Sequence, residues 1–453
     1  MSHSFVFDNK DNPVLRFIAQ ELHTSLNTTT STNATTDSDP SATLHAYEFR
    51  LESFLTRPRT CTTLFPPRVQ KSRYSQILVQ ERLVLLSAGP SSSKDTEANV
   101  DKEENMATNQ VLVAGLEVLE YTLMPLTPSS PTARCKGSRA REEKIIYIAK
   151  VDTSGFWPLP GLETQTLRGK SPAQALVKGY LRSIRVNSSH DHGFSSPSFV
   201  DTSTTSTSVV EDTSNSNDTT NSAAAAAGKM SALSIASTTN PTTSTIKQDR
   251  PRKTSLYIFA RAQPQYLFAN SAKNPQKRVL DDRGLVRWWK NTVASVYTES
   301  MDTAATTTLE QEAEGDRKKT QVKGWWHIPG IETERQAHNV IRSTSSTITS
   351  STKAFEWTYG YPDKDSTELA NALIPQFPDD PKSRMMQSPS CQGGFVNIRT
   401  FWELAAIGEE SGAGKITGFF RVVEEAEDED SEEEGEEVKG AVQEKAVTGM
   451  TAG

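Results

Sequence analysis

Cysteine is scarce: the 453-residue chain has three, Cys61, Cys135 and Cys391. They lie too far apart to form a CxxC zinc pair and are too few for a disulfide framework, so a reducing compartment is expected. Long hydrophobic runs are missing too. The start, MSHSFVFDNKDN, turns polar after three apolar residues, which fits neither a signal peptide nor a membrane span, and the expectation is a soluble intracellular protein with no membrane partner. Sequons such as that at Asn27 then carry no weight. Apolar residues make up 35%, and even with the 24 glycines the total stays below the roughly 45–50% of ordinary globular chains, so a substantial part is not core. Histidine is sparse and scattered, with seven in all. His190 and His192 lie in low-complexity sequence, no Ser/His/Asp or Cys/His constellation stands out, and no metal site is expected.

The 49 Lys and Arg against 56 Asp and Glu give a net charge of −7, which excludes a uniformly basic nucleic-acid binder. The balance is uneven. Eleven acids and no Lys or Arg occupy residues 424–437; outside this run 49 basic residues meet 45 acidic ones, a net of +4. A mildly basic body carries an acidic segment.

Ser/Thr-rich or otherwise polar stretches near 24–44, 91–109, 190–250, 298–321 and 343–353 cannot bury enough apolar surface to offset their conformational entropy. They are expected to be disordered insertions in a single domain over 1–420, followed by an acidic disordered tail over 421–453. The remaining sequence suffices for one large core. Residues 111–122, 144–151 (KIIYIAKV) and 256–261 are rich in β-branched residues and predict strands. In SPAQALVKGYLRSI, Ser171 can cap a helix with Pro172 in its first turn, and Leu176, Tyr180 and Ile184 recur at helical spacing. Leu285, Trp288, Trp289, Val293 and Val296 draw a second helical stripe. Thr400 with Glu403 suggests a capping box opening a third helix, and GKITGFFRVV a closing strand. The order predicts an α/β or α+β domain on one sheet.

IGEESGAGKIT resembles a phosphate loop, but its spacing fails: five residues separate Gly408 and Gly414, and Ile416 stands where a hydroxyl is required. It reads as a helix-to-strand turn. KVDTSGF ends a strand and turns at Asp152–Thr153–Ser154–Gly155, either as an ordinary polar turn or as a ligand site at a strand's carboxyl end. Arg168, Gly169 and Lys170 before the Ser171 cap suit a phosphate at a helix N-terminus. In IFARAQPQYLFANSAKNPQKRVL, Phe259, Arg261, Tyr266, Phe268, Lys273, Lys277 and Arg278 interleave aromatic and basic groups. Such a set suits single-stranded nucleic acid or a nucleotide-bearing cofactor. Asp379 and Asp380 stand between Pro378 and Pro381 in a turn that is either a solvated acidic turn or an acid/base pair beside Lys382.

VDTSGF, IFARAQPQYLF, SAKNPQKRVL with RWW, the IPG at 328–330, WTYGY, and FPDDPKSR with FWEL, in this order, resemble the fungal histone H3 lysine acetyltransferases of the regulator of Ty transposition family. The resemblance covers most of the patterned sequence from about 111 to 420. It implies a fold similar to the CBP-type acetyltransferases, with a mixed central sheet, surrounding helices and a loop over acetyl-CoA. It further implies acetyl transfer from acetyl-CoA to lysines of newly made histone H3 (with H4) in the nucleus. The partners it implies are histone chaperones of the anti-silencing-function and nucleosome-assembly-protein types, in chromatin assembly and the DNA damage response. No sequence-specific nucleic acid partner is implied.

By motif match the cofactor side includes Val151, Asp152, Thr153, Arg168, Gly169, Lys170, Ser171, Phe259, Gln263, Arg278, Val279, Leu280 and Trp288. The substrate side includes Tyr266, Trp289 and Asp380, with Asp379 structural. Lys382 matches a lysine that the family acetylates on itself. The loop WPLPGLETQ has its own length here, and the acidic tail departs from relatives that end in a basic one. It is expected to be dispensable for chemistry, as it lies beyond the last strand-like segment. A non-catalytic histone-binding or chaperone-linked scaffold is the alternative from another class.

Overall fold

Strand and helix segments alternate along the chain. The computed structural model describes residues 4–7, 12–27, 47–90, 110–126, 142–156, 171–189, 253–306, 320–341, 355–408 and 415–426. In order, its elements are β1 (Ser4–Phe7), α1 (Pro13–Asn27), β2 (Tyr47–Leu55), β3 (Arg59–Thr60), α2 (Pro67–Arg73), β4 (Tyr74–Pro90), β5 (Val111–Pro125), β6 (Glu143–Thr153), α3 (Pro172–Ser189) and β7 (Lys253–Ala260). They continue with α4 (Asp282–Thr306), β8 (Thr320–His327), α5 (Glu334–Val340), β9 (Trp357–Tyr359), α6 (Ala370–Leu373), α7 (Pro381–Gln387), α8 (Ile398–Ile407) and β10 (Gly418–Ala426).

The strands form one mixed sheet in the order β1-β2-β4-β5-β6-β7-β10-β8-β9, with β3 paired to β4. β1–β2, β6–β7 and β8–β9 pair parallel; the other pairs are antiparallel. Alternation along each strand separates two cores, because successive side chains point to opposite faces. Ile146 and Ile148 of β6, Leu256 and Ile258 of β7, and Phe420 and Val422 of β10 point to the face covered by α1, α3 and α4. There they meet Leu15, Ile18, Leu176, Tyr180, Val286 and Val293. Each such side chain, fully buried, contributes about 1.5–3 kcal/mol. Helices α1 and α3 approach so closely that a Cβ at Gly179 would lie 2.4 Å from the Ile18 Cα. On the other face, Tyr147, Phe377 and Tyr121 pack with Leu64 and Phe65, while Phe419 joins Met386, Phe401 and Trp402.

The mixed α/β architecture matches the expectation; several boundaries differ from it. α1 runs to Asn27 and α4 to Thr306, while β8 starts at Thr320, so helix and strand extend into stretches expected to be insertions. The closing strand reaches Ala426 and takes Glu424 and Glu425 with it, pairing Glu424 with Thr254 and Val322. Glu424 also faces Arg185 at 3.7 Å. An acidic residue is tolerated in a strand when a cation meets it, and composition alone hid this. The expected Thr400/Glu403 box is absent: α8 begins at Ile398, and its cap is Asn397, which accepts a hydrogen bond from the Thr400 amide at 2.8 Å. Asn caps as well as Thr, and this start turns Ile398, Phe401, Trp402 and Ala405 inward together. Residues 409–414 and all of 427–437 lie outside the described residues.

Candidate active site

Strand β6 ends in a turn that fixes the long segment after β7. Asp152 is buried, and its carboxylate Oδ2 accepts backbone amides of Tyr266 at 2.8 Å, Leu267 at 3.0 Å and Phe268 at 3.4 Å. Its Oδ1 accepts the Thr153 amide at 2.8 Å and the Lys277 ammonium at 2.6 Å. Lys277 also donates to the Ser271 hydroxyl at 2.7 Å. One carboxylate therefore ties β6 to both halves of the 261–280 loop. Gly155, at φ +92°, lets the turn pass under Asn274 and Lys277, where a Cβ would meet both below 3.0 Å. Asn274 bridges back to the Ser154 carbonyl at 3.4 Å.

The outer side of this loop is open. Gln263, Arg278, Val279 and Leu280 are exposed, as are Lys273 and, at the end of the β6 turn, Phe156. Exposed apolar side chains alternating with cations form a surface able to receive a ligand with apolar and anionic parts, and these residue types fit acetyl-CoA. Asp281 caps α4 by accepting the Gly284 amide at 2.7 Å, and α4 carries Trp288, half-buried, against Trp289 at 4.8 Å. Ser171 caps α3 as expected, accepting the Gln174 amide at 3.2 Å. Arg168, Gly169 and Lys170 lie outside the described residues. Val151 packs against the helix-covered core, beneath the turn.

The expected substrate-side residues occupy distinct surroundings. Tyr266 stands on the loop, its hydroxyl pushed up to about 12 by burial first, with Asp152 and Asp282 adding and Arg261 opposing. Trp289 is 5% exposed and packs in the helix-covered core. Asp380 is fully buried on the opposite face; as the cap of α7 it accepts the Lys382 amide at 3.1 Å and pairs with the Lys382 ammonium. Lys382 is 5% exposed, with its ammonium 5.4–6.0 Å from the ring centroids of Phe377, Tyr147, Phe419 and Phe259. Such a box holds the cation by its ring quadrupoles as well as by Asp380. Burial, then Asp380, raises the Tyr147 hydroxyl well above its ordinary value. Asp379, expected to be the structural member, is instead exposed at φ +54°, with its carbonyl accepting from Arg384 at 3.1 Å. The prolines fix the turn so that Asp380 points inward.

Tyr147, Phe377 and Phe419 escaped the sequence reading because they come from three separate segments; a polar-tipped aromatic inside KIIYIAKV was their one local signal. Lys277 was visible only as a basic residue, not as the partner of Asp152. Lys382 also borders a cavity of about 50 Å³ walled by Trp325, His327, Tyr361, Trp402 and Phe419. Among the described residues no group of three or more His, Cys, Asp or Glu is placed to hold a metal, and no helix is long and apolar enough to cross a membrane.

The histone acetyltransferase KAT11-type domain model matches residues 41–450, most of the sequence. The chain belongs to this family. The KAT11-type region encloses the Asp152 turn, the 261–280 loop and the Asp380–Lys382 pair. Over 176 residues the chain is 29% identical to "Histone acetyltransferase rtt109" of Schizosaccharomyces pombe, a match covering 39% of this chain and 42% of that protein. Over 190 residues it is 28% identical to "Histone acetyltransferase rtt109" of Aspergillus flavus, covering 37% and 33%. The matched stretches thus span less than half the length of these relatives. The crystal structure of Rtt109 from Aspergillus fumigatus aligns with 84% of this chain and 76% of its own at a TM-score of 0.48 and 19% identity.

Proposed function

We propose that this KAT11-type chain transfers acetyl groups from acetyl-CoA to lysines of newly made histone H3, presented with H4 by histone chaperones of the anti-silencing-function and nucleosome-assembly-protein types in the nucleus. The observation that carries this reading is the Asp152 carboxylate, which holds the 261–280 loop by three backbone amides and Lys277 and leaves Gln263, Arg278, Val279 and Leu280 facing outward. Arg278 and Lys273, with Arg168 and Lys170, take the phosphates; Val279 and Leu280 take apolar parts; Val151, Thr153, Gly169, Ser171 and Trp288 complete that side, whereas Phe259, expected among the cofactor residues, packs on Phe419 beside Lys382 on the other face. Acetyl-CoA supplies an activated thioester when bound.

The incoming lysine must lose a proton before it attacks, since its free amine titrates near about 10.4. Tyr266, on the loop, is assigned to the lysine stem, with Trp289 supporting it from the helix-covered core, and Asp380, buried on the other face of the sheet, to relaying the proton rather than to direct contact with that lysine. In its present pairing Asp380 is held by Lys382. Acetylation of Lys382 removes that cation, which frees the carboxylate to accept a proton. The test is incubation of the purified chain with acetyl-CoA and H3–H4, with and without chaperones, followed by mass spectrometry of both proteins. Acetylated H3 lysines and acetylated Lys382 are expected; no transfer under any condition rejects the proposal, and leaves a non-catalytic histone-binding scaffold.

A further inference from the structure

Residues 56–80 contain five Lys or Arg and no Asp or Glu. Two of the five are paired across the fold, Arg59 with Glu81 and Arg73 with Glu368. Arg68 and Lys71, three apart on α2 and so on one side of it, are exposed and have no ion-pair partner among the described residues. The helix buries none of its own residues. It is held on the fold by Gln70, which donates to the Cys61 carbonyl at 2.8 Å, and by Arg73, which donates to the Ala372 carbonyl at 3.0 Å. A fixed cationic surface thus stands beside the segment leading to Phe377, whose Gln376 amide donates to the Leu64 carbonyl at 2.8 Å.

The strand register shows what lies near this surface. At one end of the sheet, Ala426 closes β10, Glu425 pairs with Lys253 of β7, Lys253 with Glu143 of β6, Glu143 with Leu123 of β5, and β5 ends opposite Tyr74, directly after α2. The chain after Ala426 therefore leaves the sheet at the same end as α2, four strand spacings away, roughly 20 Å at about 4.8 Å each. Residues 427–437 carry nine acids and no base, and extended they span up to about 36 Å. We propose that Arg68 and Lys71 of α2 are the docking surface for the chain's own acidic run, 427–437, which crosses the end of the sheet to reach them. Lys144 and Lys253 lie along the way; Glu142 and Glu143 at the same end repel the run, and α2 is the part of this end with cations alone. Docking there places negative charge beside the turn that carries Asp380 and Lys382.

Carbodiimide cross-linking of the full chain, which joins lysine amines to touching carboxylates, tests this by peptide mass spectrometry. Lys71 is the reporter. Its linkage to 427–437 within one molecule is expected to exceed that of Lys144 or Lys253 at least threefold. It should fall at least threefold in 0.5 M salt and in the variant Arg68→Glu, whose side chain is exposed and whose fold is checked by thermal melting. Equal yields at all three lysines, a Lys71 link unchanged by Arg68→Glu, or linkage only between isotopically distinct copies would overturn it. No acetyl transfer enters the readout, so a chain inactive toward histones that still gives the Lys71 link separates this proposal from the enzymatic one.

Discussion

The Asp152 carboxylate and the Lys277 ammonium are both 5% exposed, so neither has water to replace its partner. Removing one member of a buried pair strands the other charge, typically at a cost of about 3–5 kcal/mol. Asp152→Ala is accordingly expected to destabilise the chain by that amount in urea denaturation, whereas Asp152→Ala with Lys277→Met should recover a good part of the loss. Equal midpoints for the single and double variants would show that the ion pair is not what matters. The same reasoning separates the two aspartates of the Pro378–Pro381 turn. Asp379→Asn keeps a residue type that tolerates a left-handed backbone at an exposed position, so stability should stay within about 0.5 kcal/mol. Asp380→Asn leaves Lys382 among four aromatic rings without its counter-charge. It should lower the melting temperature clearly and, if the proton role is right, turnover by about 10²–10⁴-fold. Unchanged turnover at a temperature where the variant is folded would reject the role while leaving the pairing intact.

Elements respond as units, and β10 shows where sequence patterning reaches its limit. Its apolar stretch was legible as a strand from GKITGFFRVV, but its last turns of pairing use Glu424 and Glu425, which look like the start of an acidic run until Arg185 is seen opposite Glu424. The long strands β2 and β4 were likewise hard to foresee: in YSQILVQERLVLLSAGP charged residues interrupt the apolar ones, and Arg82 is accommodated by Glu120 on the neighbouring strand at 2.6 Å and by the Ser53 hydroxyl at 3.4 Å. Cross-strand partners are remote in sequence, so no local pattern announces them. Deleting 424–437 should therefore lower thermal stability, since it removes three residues paired to β7 or β8, while deleting 427–437 should not. Strand β8 carries its own titration. Burial lowers the His327 pKa to about 4, against about 6.5 when unfolded. The unfolded chain binds the extra proton between these values, so the stability linked to His327 is complete above about pH 6.5 and lost as pH falls toward 4, at most about 3 kcal/mol. Denaturation of wild type and His327→Phe across pH 4–7 should show a steeper acid decline in wild type; parallel curves would place the acid sensitivity elsewhere.

At the scale of the molecule, the sequence motifs named the site's parts but not their joints. VDTSGF, the QYLF loop and FPDDPK could be read one by one, yet that Asp152 holds the loop, and that Asp380 faces inward onto Lys382 from the far side of the sheet, follows only from how β6, β7 and β10 stand side by side. The consequence concerns ligand binding. A ligand that binds the native state alone stabilises it by about 2.7 kcal/mol at a hundred times its dissociation constant, and nothing when its site is lost. Acetyl-CoA on the outer side of the 261–280 loop should raise the melting temperature of the full chain, and acetate should not. Arg278→Glu places an anion on an exposed position, so it should leave the unliganded melting temperature within about a degree and abolish most of the acetyl-CoA shift. The Asp152→Ala chain should lose the shift as well, because the loop is no longer held, although its unliganded stability also falls. A full shift in Arg278→Glu would move the cofactor away from this loop, and a shift lost in Arg278→Glu but kept in a folded Asp152→Ala would mean that the loop binds without being pinned.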